Sequence, residues 1–117
     1  MCELNRRSGS HVVPDPLATA GRYLGRAVRT RKGVLLGRVS DVLSDAESRS
    51  PQWLVVRLKG AVPRHRPLPL QLVLDDEVDL VVPISADVLR SAPVARVATH
   101  LVSSQEMSWR RYWSMAW

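Results

Sequence analysis

Short stretches of alternating apolar and polar residues run from residue 24 to residue 58 and predict the centre of the fold. Ala27–Thr30 forms a first strand of this kind, residues 36–44 form a second, and residues 52–58 form a third that is apolar on both faces. Alternation with a period of two is typical of β-strands, and strands this short cannot bury an apolar face alone. The pattern therefore predicts a small curled sheet with the third strand at its centre.

Glycine and proline positions indicate where this sheet turns and ends. Gly33 supplies the positive φ that a tight turn between the first two strands requires. Gly37, inside the second strand, indicates a bend or a close approach of two backbones. Pro69 interrupts a strand predicted for residues 68–74, and proline cannot donate to a β-ladder. We therefore expect that strand to lie at an edge or a bulge.

Asp41 is the unusual residue of the second strand. Alternation places it on the same face as the apolar residues Val39 and Leu43. A carboxylate among apolar neighbours needs a partner wherever it lies. We expect Asp41 to be a structural acceptor for backbone N–H groups or for an arginine, and this interpretation is favoured over a catalytic role.

The chain divides into one domain with an extension on each side. Residues 1–20 show no periodicity and contain Pro14 and Pro16, which disfavour a helix, so they predict a flexible N-terminal tail. Residues 21–93 form the domain, and their number suits a single small core. Residues 94–117 form a C-terminal extension.

The C-terminal extension predicts a short aromatic helix. Ser103 and Glu106 have the spacing of a capping box, which marks the start of a helix. Three tryptophans then recur every four residues with a tyrosine beside them, and these are candidate partner contacts: Trp109, Tyr112, Trp113 and Trp117. Such a stripe docks on its own domain or on a second subunit, and both interpretations are favoured over a membrane anchor because the segment is short. If the stripe is exposed, it is an interaction site.

The net charge of +6 and the pI near 10.7 favour a polyanionic partner such as RNA or an acidic protein. The candidate polyanion contacts lie at the first turn and in the loop after the third strand: Arg29, Arg31, Lys32, Arg64 and Arg66. No aromatic residue suited to base stacking lies near them in the sequence, so RNA binding would be non-specific and salt-sensitive. A solvated arginine-rich surface without a binding role is the alternative.

No residue cluster has the spacing of a catalytic or metal site. His11, His65 and His100 are far apart and Cys2 is the single cysteine, so the sequence predicts neither a set of metal ligands nor an intrachain disulfide. We expect no enzyme activity and no cofactor. Because no apolar run is long enough to span a membrane, we expect a cytoplasmic protein without stable membrane insertion.

Several of these positions together resemble the PRC-barrel domain family. The resemblance rests on Leu24-Gly25, Gly33, Gly37-x-Val39-x-Asp41, the run from Trp53 to Val56, and Pro69. It implies a mostly β fold, a small closed or partly open β-barrel with a short C-terminal helix. The expected structural positions are Gly25, Gly33, Gly37, Asp41 and Pro69.

A fold of this kind specifies function only weakly. We expect a non-enzymatic interaction module that binds a partner protein or itself through the edge of the barrel and the tryptophan-bearing C-terminal segment. The alternative is an accessory factor that binds RNA or ribosomal particles through its arginine-rich loops.

Overall fold

The computed structural model describes residues 12–14, 18–45, 47–48, 50–96 and 102–116. Its strands are β1 (Val12–Pro14), β2 (Ala27–Thr30), β3 (Leu35–Asp45), β4 (Pro51–Leu58), β5 (His65–Pro69), β6 (Leu74–Asp75) and β7 (Leu80–Val82). Its helices are α1 (Ala18–Tyr23), a 3-10 turn (Leu70–Leu72), α2 (Ala86–Arg90) and α3 (Val102–Ala116).

The strands form one sheet in the order β5-β4-β3-β2-β7-β6, with β1 beside the far end of β3. All neighbours are antiparallel except β2 and β7, which run parallel. The two end strands, β5 and β6, do not pair with each other in the described part of the chain. The sheet is therefore a partly open barrel, as the sequence predicts.

Strand β4 lies between β3 and β5 and supplies the middle of the core. Its residues Trp53, Leu54, Val55 and Val56 are all buried, so both faces of the strand are covered. A continuous apolar run rather than an alternating one is what a strand covered on both faces requires. The strand is an interior strand, as predicted, but it lies second from the β5 end of the sheet rather than at its centre.

The two predicted glycine positions are also confirmed. Gly33 has φ = 87°, and its N–H donates to the carbonyl oxygen of Thr30 at 2.9 Å, which closes the turn between β2 and β3. Gly37 lies opposite Leu58 in the β3–β4 ladder. A Cβ added to Gly37 would overlap the carbonyl oxygen of Arg57 and lie 2.9 Å from the Cα of Leu58.

The predicted partners of Asp41 are wrong. The side chain is half-buried, and the Ser40 hydroxyl lies 3.2 Å from Asp41 Oδ2 and 3.2 Å from the Val55 carbonyl oxygen. Among the described residues, no arginine and no backbone N–H donates to Asp41. The cause is a bulge between Val39 and Asp41, which breaks the strict alternation and leaves the carboxylate partly in contact with water.

The predicted flexible tail, residues 1–20, is wrong at its C-terminal end. Residues Val12–Pro14 pair with the last three residues of β3, and the Val12 side chain is only 2% exposed. Helix α1 then begins at Ala18. A three-residue strand is too short to show a period, so the sequence pattern could not reveal it. The other residues of this segment lie outside the described part of the chain.

The strand predicted for residues 68–74 is divided in the structure. Its start is the end of β5, its middle is the 3-10 turn, and its end is β6. Pro69 is the last residue of β5, an end strand of the sheet. The predicted edge position of Pro69 is therefore confirmed.

A paired arginine and aspartate tie β6 to the start of β2. Arg26 donates to both carboxylate oxygens of Asp75, at 2.8 and 3.0 Å. This hydrogen bonding, together with the Glu77 backbone N–H, lowers the pKa of Asp75 to about 2 from its ordinary 3.8. A carboxylate whose pKa is lower in the folded state stabilises the fold above its unfolded pKa, and that stability is lost as the pH falls through the folded pKa.

We therefore expect Arg26→Gln to reduce the loss of stability between about pH 4 and pH 2. Urea unfolding at several pH values in this window measures the effect. Arg111→Gln is the matched control, because Arg111 is exposed and no carboxylate among the described residues pairs with it. If the free energy of unfolding falls equally with pH for wild type and Arg26→Gln across this window, the pair does not shift the pKa of Asp75.

Candidate interaction surfaces

Helix α3 docks its tryptophans on the barrel. Glu106, Trp109 and Trp113 lie three and four residues apart, so they share one helix face, and all three are buried. The Trp109 side chain is 0% exposed. Its ring meets that of Trp53 edge to face, with the centroids 5.4 Å apart and the planes at 69°. This is a preferred geometry for aromatic pairs.

The polar groups on this face of α3 are satisfied within the same domain. Glu106 Oε2 accepts hydrogen bonds from Trp53 Nε1 at 2.8 Å and from Arg110 at 2.9 Å. Trp113 Nε1 donates to the Pro67 carbonyl oxygen at 3.0 Å. The Tyr112 hydroxyl donates to a carbonyl oxygen of α2 at 2.6 Å. Most polar groups on this buried face are therefore hydrogen-bonded within the domain, and Trp109 Nε1 is a buried group that has no partner among the described residues.

Trp109 and Trp113 lie in the core, and Tyr112 is bound to α2, so the structure does not support the prediction that these residues contact a partner. Of the interpretations that the sequence left open, docking on the chain's own domain is confirmed. Trp117 lies outside the described residues. The predicted capping box stays a prediction, because the side chain of Ser103 lies outside the described residues; Glu106 Oε2 accepts from Trp53 Nε1.

A signal for this docking was present in the sequence. Glu106 precedes Trp109 by three residues and Trp113 by seven, which places it on the tryptophan face of a helix. A carboxylate on an apolar helix face needs a buried donor, and the indole N–H of a core tryptophan is one. The helical spacing therefore indicates a buried Glu106, but the spacing does not identify Trp53 as its partner.

The outer edge of β5 offers little to an incoming strand. The Leu58 N–H donates to the Arg64 carbonyl oxygen, so Leu58 and Arg64 form a hydrogen-bonded pair of the β4–β5 ladder. Hydrogen-bonded and non-hydrogen-bonded pairs alternate in an antiparallel ladder. The backbone groups of His65, Pro67 and Pro69 therefore point away from β4. The carbonyl oxygen of His65 already accepts from the Ala95 N–H at 3.0 Å. The two prolines have no N–H to donate. Binding through this barrel edge, which the sequence predicts, is therefore not supported at β5.

The five predicted polyanion contacts fall into two groups. Arg29 pairs with Asp79, with Nε and Oδ2 2.8 Å apart, and Arg66 donates to the carbonyl oxygen of Arg90 at 3.2 Å. These two side chains are partly occupied within the fold. The exposed members have no carboxylate partner among the described residues: Arg31, Lys32 and Arg64.

The unpaired cations line two adjoining hollows, which share Ala86 and which we call the basic groove. One hollow, of about 310 Å³, is lined by Leu35, Leu58, Lys59, Val62, Arg64 and Arg90 among others. The other, of about 340 Å³, is lined by Arg31, Lys32, Val34, Val82 and Ile84 among others. The predicted loop cation Arg64 therefore lies with Lys59 and Arg90 in one hollow, and the predicted turn cations Arg31 and Lys32 lie in the other. Lys59 and Arg90 are not among the contacts that the sequence predicts.

The basic groove also exposes aliphatic side chains. Val34 is 49% exposed and Val62 is 63% exposed, and each follows closely on a turn glycine, Gly33 or Gly60. A valine within a polar turn is a sequence signal that could have indicated this exposed apolar surface. Val34 and Val62 lie on the same surface as the cations, so the groove is both charged and apolar.

A further hollow of about 480 Å³ lies between the start of β4, the 3-10 turn and α3. Its cation, Arg110, is already paired with Glu106 at 2.9 Å. Within the described ranges, no three His, Cys, Asp or Glu side chains come together as metal ligands do. None of the helices described is long and apolar enough to cross a membrane.

These observations define a class: a small, partly open β-barrel with a docked C-terminal helix. The chain belongs to the PRC-barrel domain family, because the model of that family, described as PRC-barrel domain, matches residues 19–89 of the 117. The resemblance seen in the sequence is confirmed. A search of curated proteins finds no match to this chain.

Proposed function

We propose that this protein is a non-enzymatic, cytoplasmic PRC-barrel module that binds a partner protein through the basic groove. The PRC-barrel domain often occurs in protein-interaction modules. The observation that carries the proposal is the groove itself, where Val34 and Val62 are exposed beside the unpaired cations Arg31 and Arg64. Stable protein interfaces combine an apolar centre with a polar, charged rim.

The remaining surfaces support this choice of face. Helix α3 has its aromatic residues in the core, and the outer edge of β5 is blocked by Pro67 and Pro69. Neither the buried tryptophans of α3 nor the outer edge of β5 is free to take a partner. The sequence predicts binding through the barrel edge and the C-terminal segment. The proposed site is instead the basic groove, which has exposed cations and exposed valines.

Self-association through this groove is disfavoured by its charge. A symmetric dimer uses the same patch on both subunits, so the groove of one copy would face the groove of the other. That arrangement brings Arg31, Lys32 and Arg64 close to their own equivalents, and like charges at an interface cost free energy. A different protein is therefore the proposed partner.

RNA binding is the second candidate, and the unpaired cations Arg31, Lys32, Lys59 and Arg64 favour it. None of the residues that line the two hollows is aromatic, so bases would have no side chain to stack on. An RNA complex would rest on phosphate contacts alone and would weaken steeply with added salt. The exposed valines would have no role in it.

Affinity capture separates the two candidates. The full chain is immobilised and exposed to extract of its native cells, with and without nuclease, and an unrelated basic domain of equal net charge is the control. We expect at least one protein that the control does not retain and that nuclease does not release. Capture of nuclease-sensitive material alone, or of nothing beyond the control, would contradict the proposal.

A further inference from the structure

We infer that the basic groove binds an acidic segment of its partner that also carries aliphatic side chains. This inference rests on the proposed protein-binding function and adds the chemistry of the bound segment. The segment would place carboxylates against Arg31, Lys32 and Arg64 and aliphatic side chains against Val34 and Val62.

The charges that line the groove select an anionic occupant. Among the described residues, five cations and no acidic side chain line the two hollows. The cations are Arg31, Lys32, Lys59, Arg64 and Arg90. The nearest acidic neighbour on α2 is Asp87, which pairs with Arg90 at 3.0 Å and is itself 88% exposed. Complementary charge steers such partners together and excludes basic ones.

The apolar part of the groove selects a protein segment over a nucleic acid. Val34 and Val62 are about half or more exposed, and Ile84 and Leu35 lie beneath the same surface. Covering exposed aliphatic area is favourable, and a phosphate backbone has no apolar group to do it. Aspartate and glutamate interspersed with leucine, isoleucine or valine satisfy both requirements at once.

The walls of the groove are held by backbone hydrogen bonds. The loop between β4 and β5 is closed by the Leu58 N–H, which donates to the Arg64 carbonyl oxygen at 2.8 Å. Its first residue is tied to β3 by the Lys59 N–H, which donates to the Leu36 carbonyl oxygen at 3.0 Å. The β2–β3 turn is closed by the bond between Gly33 and Thr30. A site formed before binding pays less ordering entropy when the ligand arrives, which favours affinity.

A display library of random short peptides tests the inference on the full-length protein. We expect the enriched peptides to be rich in Asp and Glu and to carry aliphatic residues. By fluorescence anisotropy, Arg64→Glu should weaken a selected peptide by about tenfold or more, because it sets like charges face to face. Val62→Ser should weaken it by about threefold to tenfold through lost apolar contact.

The matched control is Arg111→Glu, which makes the same change of charge on the outer face of α3, away from the buried tryptophans. We expect it to change affinity by less than about twofold, since Arg111 lines neither hollow of the groove and exposed charges outside a contact are screened. Circular dichroism checks that each variant is folded, and all three substituted side chains are exposed.

Three results would overturn the inference. Enriched peptides without acidic residues, or binding that Arg64→Glu leaves unchanged, would show that the bound segment has another chemistry while the protein-binding function stands. A selection that enriches no peptide, together with single-stranded RNA that binds wild type and not Arg64→Glu, would overturn both the inference and the proposed function.

Discussion

Trp109→Ala is expected to lower the free energy of unfolding by about 3–5 kcal/mol. The side chain is 0% exposed, and its removal leaves a cavity against Trp53 and loses the edge-to-face contact between the two rings. Since small domains are stable by only about 5–15 kcal/mol, the variant would be close to unfolding. Urea denaturation followed by far-UV circular dichroism measures the change without relying on tryptophan fluorescence.

Met107→Ala on the same helix is the control. Met107 is 67% exposed, so its truncation should change the free energy of unfolding by no more than about 0.5 kcal/mol. Equal effects of the two substitutions would mean that α3 does not rest on the barrel in solution. The tryptophans would then again be candidates for a partner contact.

Gly37→Ala is expected to destabilise the fold by about 3 kcal/mol or more, or to prevent folding. The added methyl group would overlap the carbonyl oxygen of Arg57 and lie 2.9 Å from the Cα of Leu58. Both obstacles are backbone atoms of β4, so no change of rotamer relieves the clash. Strands β3 and β4 would have to separate at the centre of the sheet, and urea denaturation measures the cost.

Gly21→Ala provides the matched comparison for this substitution. Gly21 lies in α1, and a Cβ added there meets no atom within 4 Å. Alanine is the better helix former, so this change should be neutral or should stabilise the protein by up to about 1 kcal/mol. Similar losses of stability at both glycines would contradict the close approach of β3 and β4.

The central strands could be predicted closely from the sequence. Strand β2 is found at the predicted residues, and β3 and β4 each begin within one residue of the predicted start. Period-two alternation and the turn at Gly33 are local signals, and the sheet obeys them. Register shifts break these signals in places, and the one at Ser40 changes the facing of Asp41 without leaving a clear pattern in the sequence.

Contacts between distant parts of the chain could not be predicted in the same way. The hydrogen bond from Trp53 to Glu106 joins residues 53 positions apart. Strand β1 pairs with the end of β3 through backbone groups, which leave no side-chain signal in the sequence. Local periodicity describes which face of an element is apolar and does not say which other element covers it. The helical spacing therefore predicts the tryptophan face, and only the packing of α3 on the barrel shows that this face belongs to the core.

The candidate site was predicted in part for the same reason. Arg31, Lys32 and Arg64 lie at the groove, as the turn and loop positions suggest. Arg29 pairs with Asp79, which lies 50 residues further along the chain, so its charge is partly neutralised within the fold. The sequence alone does not show this pairing. Arg90 was overlooked because only the packing of α2 brings it to the groove.

The most direct test of the account is the affinity of the captured partner protein for three forms of the full chain: wild type, Arg64→Glu and Arg111→Glu. We predict that Arg64→Glu, in the basic groove, raises the Kd by about tenfold or more, while Arg111→Glu, on α3, changes it by less than about twofold. The reverse order would contradict the account, because it would place the binding face on the aromatic helix rather than on the groove.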